Sequence, residues 1–266
     1  MTPQLQAILS KDREYNAGDM VAEIFGFSKE THYDLLVVAP GWKPTKILNQ
    51  TDAEVTITAK HSYVSGYEVT FGDKRIAWAQ TGSGACNLID HLTLCVDMDF
   101  DKLVFVGAVG GLRSDYEVGD LCTPIQCVEG TMAPAYLMED PREFRPFTRV
   151  VPDNDAFRKQ VLAMAAQMAI PLREASVFCT DSISCEYYHL DFIQSFDTDL
   201  IEMETSAFYR LATMMEKPAI ALLVVSDNSA NGEPLIGKSE QQEDAYNRGR
   251  KVLISRLLEG IAHIVL

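Results

Sequence analysis

Basic residues are few in this 266-residue chain, which carries 23 Lys and Arg against 38 Asp and Glu and has a formal net charge of -15. Such an excess of negative charge repels the phosphate backbone of nucleic acids and anionic lipid headgroups. The composition therefore argues against nucleic acid and membrane surfaces as partners. The charge by itself favours solubility and identifies no substrate.

Paired cysteine motifs and long apolar runs are also missing from the sequence. The six cysteines form no Cys-x-x-Cys pair and lack nearby histidines at zinc-binding spacing, which predicts reduced thiols and no metal site. No apolar run approaches the ~18 residues needed to cross a bilayer, and the first residues do not begin a secretory signal. We therefore expect a cytoplasmic protein.

Short apolar runs rich in β-branched residues predict strands that are buried on both faces of a sheet. These runs cover residues 35–39, 76–80, 103–106 and 220–225. Amphipathic stretches of helical length cover residues 87–96, 156–168, 205–215 and 244–265. Alternating patterns at 64–70 and 120–128 add strands that make the sheet mixed and curl it toward a barrel. The prediction is an α/β protein, a three-layer α/β/α sandwich with a central mixed, partly barrel-like sheet.

The length of the chain does not require two domains, because α/β sheets of this size often form one unit. We expect a single domain over residues 1–266, with residues 1–33 as an N-terminal extension packed on it. Residues 132–154 are rich in proline and charge, which predicts a long excursion from the sheet.

Glycines follow the third predicted strand in the segment Gly107-Ala108-Val109-Gly110-Gly111. Glycines at such a turn either let backbone amides approach a ligand or allow tight packing of strand and turn, and both interpretations stay open. The segment is not a dinucleotide-binding fingerprint, since no helix with a later ribose-binding acid follows in register.

Acidic residues stand at the ends of two predicted elements. Glu202 and Glu204 flank Met203 just before an apolar helix, where carboxylates either cap the helix or accept hydrogen bonds from sugar hydroxyls. Asp227 closes the last predicted strand, the position where open α/β sheets place ligand-binding residues. It is either a half-buried proton donor with a raised pKa or the first residue of an Asx turn.

Residues 232–239 match the phosphate-loop pattern G-x-x-x-x-G-K-[ST], with Lys238 as the basic residue. The first glycine, however, follows the preceding strand by several residues, and no second strand offers a Mg²⁺-binding acid. The context argues against a nucleotidase built on Lys238.

Taken together, these segments resemble the nucleoside phosphorylase superfamily, which includes hexameric-type purine nucleoside phosphorylases, uridine phosphorylases and methylthioadenosine nucleosidases. The resemblance extends from about Asp34 over nearly the whole remaining chain. It rests on the segments Val38-Ala39-Pro40-Gly41, Thr81-Gly82-Ser83-Gly84, Gly107 to Gly111, Phe178 to Ile183 and, most specifically, Glu202-Met203-Glu204. It implies an enzyme that cleaves the bond between a ribose and a purine-like base.

The resemblance also implies roles for individual residues. Asp227 is the catalytic residue that protonates or hydrogen-bonds the leaving base. The ribose-binding residues are Glu204, Met203, Glu202 and Thr81, and the base-binding residues are Ile183, Phe178 and Asn228. The phosphate or nucleophile site consists of Gly41, Gly107, Ala108 and Thr45. These roles fit the chemistry, because a carboxylate stabilises positive charge developing on the sugar while an acid improves the leaving base.

The phosphate site departs from the family pattern. Phosphorolytic relatives hold phosphate with arginines, whereas the matching positions carry Thr45 and Phe105, and Ala108 replaces a hydroxyl residue. The cations that could substitute are Lys43, Lys46, His61 and Arg113. Three hypotheses follow: phosphorolysis with phosphate as co-substrate, hydrolysis by water, and a nucleoside-binding module without catalysis.

The resemblance further implies the kind of base and the assembly. Tyr187 and His189 occupy the approximate places of the uracil-reading residues of uridine phosphorylases, so together with Asp227 they favour a purine. Relatives assemble as dimers or hexameric rings, which implies a homo-oligomer acting on a small-molecule nucleoside without a cofactor other than phosphate.

Overall fold

A computed structural model describes residues 1–16 and 18–265 of the protein. Its centre is a 10-stranded sheet. The strands are β1 (His32–Ala39), β2 (Glu54–Lys60), β3 (Ser65–Phe71), β4 (Lys74–Gln80), β5 (Asp99–Gly111), β6 (Leu121–Glu129), β7 (Arg149–Val150), β8 (Leu172–Cys179), β9 (Leu200–Glu202) and β10 (Ala219–Asn228). The helices are α1 (Pro3–Tyr15), α2 (Met20–Phe25), α3 (Pro44–Ile47), α4 (Ala85–Leu94), α5 (Asp155–Gln167), α6 (Ile183–Glu186), α7 (Leu190–Gln194), α8 (Thr205–Met215), α9 (Glu240–Arg248) and α10 (Ile254–Ala262).

Five of the strands close into a barrel. β5 pairs in parallel with β10, β10 runs antiparallel to β6, and β6 runs parallel to β8. The short strand β9 completes the circuit between β8 and β5. From β5 the sheet continues outward through β1, β4, β3 and β2. The predicted mixed and partly barrel-like sheet is therefore confirmed.

Helices cover both faces of the sheet, because successive side chains of a strand point to opposite sides. Leu36 and Val38 of β1 belong to a core cluster shared with α1, α2, α4 and α8. Leu35 and Val37 of the same strand belong to a second cluster shared with α5, α9 and α10. Both strand faces are thus buried, and the predicted three-layer arrangement is present.

The N-terminal and C-terminal segments pack on this frame. Leu5 and Leu9 of α1 are buried in the same cluster as α8, and the Thr2 amide donates a hydrogen bond to the Met214 carbonyl at 2.7 Å. The helix expected over residues 244–265 is two helices, α9 and α10, joined by a π-helical turn at Gly249–Leu253. None of the helices formed by the described residues combines the length and apolar character that a membrane crossing requires.

One edge of the sheet gathers the ends of the parallel strands. β1 runs parallel to β4 and β5, and β5 runs parallel to β10, so their carboxyl ends open in the same direction. In open α/β sheets the crevice outside these ends is the usual place for a ligand. The register of β10 on β5 shifts between Val225 and Asp227, so that Ser226 is an extra residue. Such a bulge redirects the side chain that follows it.

Candidate active site

A cavity of ≈ 190 Å³ opens at this edge. Backbone-rich segments at the ends of β1 and β5 line one side, and β9, the start of α8, α6 and the end of β10 line the rest. Its acidic lining residues are Glu186, Glu202, Glu204 and Asp227, and its apolar or small ones include Gly41, Trp42, Phe105, Gly107, Ala108, Ile183, Ile201, Met203 and Leu235. The two acidic positions singled out by the sequence, one before α8 and one at the end of β10, therefore share one cavity.

Asp227 is held in the cavity by the local geometry of β10. It is 8% exposed, and the Ser226 hydroxyl donates a hydrogen bond to its Oδ1 at 2.5 Å. A Cβ at Gly110 would lie 3.2 Å from its Oδ2, so the glycine on the neighbouring strand allows the close approach. Burial raises the pKa of Asp227, while the Ser226 hydrogen bond and the charge of Lys238 act in the opposite direction. A carboxyl group with a raised pKa is suited to proton donation near neutral pH.

Glu204 stands at the start of α8 and reaches across to α4. Its Oε1 accepts a hydrogen bond from the amide of Gly84, which caps α4 with a φ of 96° that glycine adopts without strain. Burial and the neighbouring Glu202 raise the pKa of Glu204 well above its usual value. The sequence motif therefore places one carboxyl group in the cavity at the junction of two helix N-termini.

Glu202 performs a different task from Glu204. Its carboxylate accepts hydrogen bonds from the Glu204 amide at 2.7 Å and from the Thr205 amide and hydroxyl at 3.0 and 2.7 Å. The Cys179 thiol donates a further hydrogen bond to it at 2.9 Å. These contacts cap α8, which is the helix-capping interpretation that the sequence allowed, and they fix the backbone that carries Met203 and Glu204.

Glu186 is a fourth acid in the cavity that the sequence did not bring out. It ends the one-turn helix α6 and is 8% exposed. Burial and the charge of Asp227 raise the pKa of Glu186 to about 7. No spacing or composition signal marks this residue, because only the tertiary placement of α6 brings it beside β10.

The floor of the cavity is aromatic at Phe105, a position where the sequence resemblance implied an arginine in phosphorolytic relatives. The Phe105 ring is 1% exposed, packs 5.5 Å from Phe208 of α8 and would lie 2.8 Å from a Cβ at Gly107. Gly107 is therefore required by the packing of this ring. Within the chain that the structure describes, no Lys, Arg or His lines the cavity.

Comparison with known proteins identifies the family of the chain. The family described as the phosphorylase superfamily matches residues 36–259. The chain belongs to this superfamily. The resemblance found in the sequence, to nucleoside phosphorylases and nucleosidases, is confirmed.

Alignments with individual relatives and solved structures cover most of the chain. This chain is 24% identical over 195 residues to a DeoD-type purine nucleoside phosphorylase of Brevibacillus brevis. The alignment covers 73% of this chain and 80% of that relative. The crystal structure of a 5'-methylthioadenosine/S-adenosyl homocysteine nucleosidase from Campylobacter jejuni superimposes with a TM-score of 0.67 at 17% identity, over 86% of this chain and 98% of that one. A uridine phosphorylase from Vibrio fischeri gives 0.70 at 14% identity, over 89% and 94%.

Most of the residues that the superfamily resemblance singled out lie together. The cavity is lined by Asp227, Glu204, Met203, Glu202, Ile183, Gly41, Gly107 and Ala108. Four others do not line it. Thr81 is fully buried and its hydroxyl donates to the Gly82 carbonyl at 3.1 Å, while Thr45 is exposed on α3. The Asn228 side chain donates to the carbonyls of Arg113 and Tyr116, so it holds the loop after β5.

The fourth, Phe178, lines a neighbouring pocket of ≈ 320 Å³. Its ring packs against Phe147 and Phe196, with centroids 6.3 and 5.5 Å away. Glu186 lines both this pocket and the acidic cavity, so α6 forms the wall between them.

The cations considered as phosphate ligands lie elsewhere. Lys43 and Lys46 are exposed, and the exposed His61 ring lies 3.4 Å from the Glu23 carbonyl. Arg113 is half-exposed and pairs with three aspartates of its own surface, Asp115, Asp197 and Asp199. None of these four side chains lines the cavity.

The phosphate-loop match has an ordinary structural role. The Lys238 ammonium donates to the Leu235 carbonyl three residues earlier, and Ser239 caps α9 by accepting from the Gln242 amide at 3.3 Å. Both residues therefore stabilise the connection into α9.

A group with metal-ligand potential lies at the opposite edge of the sheet, where β1 and β5 begin. His32, Asp34 and Asp101 offer ligand atoms within 4.8 Å of one another. Asp34 already accepts from the Lys74 ammonium and the Arg75 amide, both at 2.9 Å, and His32 pairs with Asp99 at 3.0 Å. These partners account for the cluster without a metal ion.

Proposed function

We propose that this protein hydrolyses the N-glycosidic bond of purine nucleosides, with water as the nucleophile. One observation carries the proposal: a single cavity holds two buried carboxyl groups, Glu204 and Asp227, and none of the described residues that line it is a Lys, Arg or His. The likeness to nucleosidase and phosphorylase structures supports the N-glycosidic bond as the bond that is cleaved. The negative charge of the cavity supports water as the nucleophile.

Asp227 is the proton donor in this proposal. The purine leaves as an anion unless a proton reaches one of its ring nitrogens, so an acid at the base accelerates bond cleavage. Burial raises the pKa of Asp227, which favours its protonated form, and the Ser226 hydroxyl orients the carboxyl group. Ile183 and Leu235, which line the same cavity, provide apolar contacts for a planar base.

Glu204 holds the ribose. A carboxyl group accepts hydrogen bonds from sugar hydroxyls, and its negative charge stabilises the cationic sugar of the transition state in a site shielded from water. Ribose hydroxyls donating to Glu204 would favour its ionised form despite the burial that raises its pKa. The half-buried Met203 beside it supplies an apolar surface beneath the sugar.

Water fits the cavity better than phosphate does. Phosphate is an anion at neutral pH, and it would face the Glu202 and Glu204 carboxylates and the Phe105 ring, with no cation among the described lining residues. A neutral water molecule meets no such repulsion and can accept and donate hydrogen bonds at the same place. The proposal needs no cofactor.

The test compares product release with and without phosphate. Adenosine and inosine are incubated with the protein in phosphate-free buffer and in millimolar phosphate, and chromatography separates free base, ribose and ribose 1-phosphate. We expect free base and ribose at a rate that phosphate changes by less than about twofold. Ribose 1-phosphate formed at a phosphate-dependent rate would establish phosphorolysis instead, and binding without any release of base would establish a binding module.

A pair of variants links the activity to this cavity. Glu204→Gln removes the charge that stabilises the sugar cation, and we expect a loss of about 100-fold in kcat/KM. Glu216→Gln removes a carboxylate at the exposed C-terminal end of the same helix and keeps the activity. Equal activity in both variants would separate the reaction from the Glu204 cavity.

A further inference from the structure

The Glu186 carboxyl group is buried, faces the active-site cavity and has no partner among the described residues. Its side chain is 8% exposed, and it lines the cavity together with Asp227. Asp227 accepts from Ser226, Glu204 from Gly84 and Glu202 from several donors, but no hydrogen bond reaches the Glu186 carboxyl group. Of the four acids in the cavity, it is the one without a role in holding the protein together.

No described donor pairs with the Glu186 carboxyl group, and its oxygens are open to the cavity, so a ligand bound there can supply the missing donor. The titratable groups around Glu186 do not supply one. Asp227, Glu202 and Glu204 share its cavity, Tyr187 follows it in the chain, and Asp181, Cys185 and His189 line the pocket on its other side. The Asp181 carboxylate is directed instead at the Met132 amide, 3.2 Å away.

We propose that Glu186 determines the specificity for the base, its carboxylate accepting a hydrogen bond from the 6-amino group of an adenine-type purine whose N7 is held by Asp227. The inference rests on the proposed function, because it uses Asp227 as the acid at the base. It adds the class of substrate: 6-aminopurine nucleosides in preference to 6-oxopurine nucleosides.

The chemistry of the purine edge supports this pairing. Adenine presents an acceptor at N7 next to a donor at its 6-amino group, whereas guanine and hypoxanthine present two adjacent acceptors, N7 and O6. A protonated Asp227 beside an ionised Glu186 offers one donor and one acceptor, which matches adenine. A 6-oxopurine would place its O6 against the Glu186 carboxylate, and two acceptors facing each other repel.

The selectivity should therefore change with pH. Burial and the charge of Asp227 raise the pKa of Glu186 to about 7. Above this pH the ionised carboxylate accepts from the 6-amino group, and below it the protonated carboxyl group can donate to O6 instead. The preference for adenosine over inosine is thus expected to increase as the pH rises through the pKa of Glu186, which burial still raises when Asp227 holds its proton. Loss of the proton from Asp227 slows both substrates and leaves their ratio unchanged.

The experiment measures kcat/KM for adenosine and inosine in the wild type and in Glu186→Gln, over a pH range of about 5.5 to about 9. The wild type is expected to prefer adenosine by about 10- to 100-fold at the alkaline end. The Gln side chain carries both a donor and an acceptor at every pH. Glu186→Gln should therefore lower the ratio by about 10-fold or more and remove its dependence on pH.

Asp191→Asn is the matched control, because it removes an exposed carboxylate from α7 without touching either cavity. It should keep the wild-type ratio at every pH. A second measurement, calorimetric binding of free adenine and hypoxanthine to both proteins, does not depend on catalysis. Glu186→Gln should lose the preference for adenine.

The outcomes distinguish the two proposals. Base release with a ratio that neither pH nor Glu186→Gln alters would overturn the role of Glu186 while hydrolysis stands. No base release from either nucleoside would overturn the proposed function, and the binding titration would still decide on Glu186. Equal binding of adenine and hypoxanthine by the wild type would remove the inference in either case.

Discussion

Asp227 shows how a side chain acquires its chemistry from the backbone around it. The bulge at Ser226 turns the carboxyl group into the cavity, the Ser226 hydroxyl orients it, and Gly110 leaves room for it. Burial then raises its pKa. Each of these contributions is local, so an isosteric change at Asp227 alters the chemistry while leaving the packing in place.

We expect Asp227→Asn to lower kcat/KM for purine nucleosides by about 100-fold or more, because Asn cannot transfer a proton to the leaving base. The amide has the size of the carboxyl group and carries no charge to desolvate, so the thermal midpoint should stay at or above that of the wild type. Base release and calorimetry measure the two effects. Asp73→Asn, in the exposed turn between β3 and β4, is the control. Retained activity in Asp227→Asn would exclude Asp227 as the acid.

Glu186 marks the limit of residue-level prediction. Glu204 and Asp227 could be proposed from the sequence because a motif and a strand end mark their positions. Glu186 carries no such mark, since its role arises when α6 is placed against β10. Thr81 and Asn228 failed to reach the cavity for a related reason: their side chains hydrogen-bond to nearby backbone, which the sequence cannot reveal.

At the scale of elements, the start of α8 decides where the ribose-binding side chains lie. The Glu202 carboxylate accepts from the first amides of the helix and from the Thr205 hydroxyl, all in the buried interior. Charge-assisted hydrogen bonds of this kind are stronger than neutral ones. Met203 and Glu204 lie between the carboxylate and the helix, so the cap also fixes the site.

We therefore expect Glu202→Gln to lower the free energy of unfolding by about 2–3 kcal/mol, since an amide nitrogen would face buried donors. Urea titration measures the loss. Asp155→Asn, which alters an exposed first-turn acid of α5, should cost less than about 1 kcal/mol. Equal losses in the free energy of unfolding for the two variants would mean that the buried Glu202 hydrogen bonds stabilise the protein no more than an exposed first-turn acid does.

Among the strands, those with continuous apolar runs were the easiest to predict. β1, β4, β5 and β10 were predicted because both of their faces are buried, which leaves continuous apolar runs. β2 was missed because most of its side chains are exposed or half-buried, and β9 because three residues are too few for a pattern. The one-turn helices α3 and α6 were missed for the same reason as β9.

At the scale of the whole molecule, the barrel collects chain segments that are far apart in sequence. Gly107 to Gly110 come from β5, Glu204 from the start of α8 and Asp227 from the end of β10, and closure of β10 on β5 brings them to one edge. This closure also concentrates Glu186, Glu202, Glu204 and Asp227 in a small volume. The sequence could predict the mixed sheet, but the crowding of acids follows only from the closed barrel.

That crowding makes the stability of the molecule depend on pH, with Glu186 as the group whose contribution can be isolated. Its pKa is about 7 in the folded protein, compared with the ordinary value of 4.5 that we take for the unfolded chain. Between these two values the folded state therefore binds more protons than the unfolded state. Stability therefore falls as the pH rises from 4.5 to about 7 and does not recover above it. Glu204 and Asp227, whose pKa values are also raised, add to the fall in the same direction.

Replacing Glu186 by Gln removes one of these proton-binding groups and retains its size. At about pH 5, near the lower of the two pKa values, the wild-type side chain is neutral in the folded protein. The two proteins should then have nearly equal free energies of unfolding. At about pH 8 the variant should be more stable by at least about 1 kcal/mol, because only the wild type then buries the charge. Urea titrations at the two pH values measure the difference, with Asp191→Asn as the control that should show none. A Glu186→Gln difference that is the same at both pH values would mean that Glu186 titrates as an ordinary surface acid.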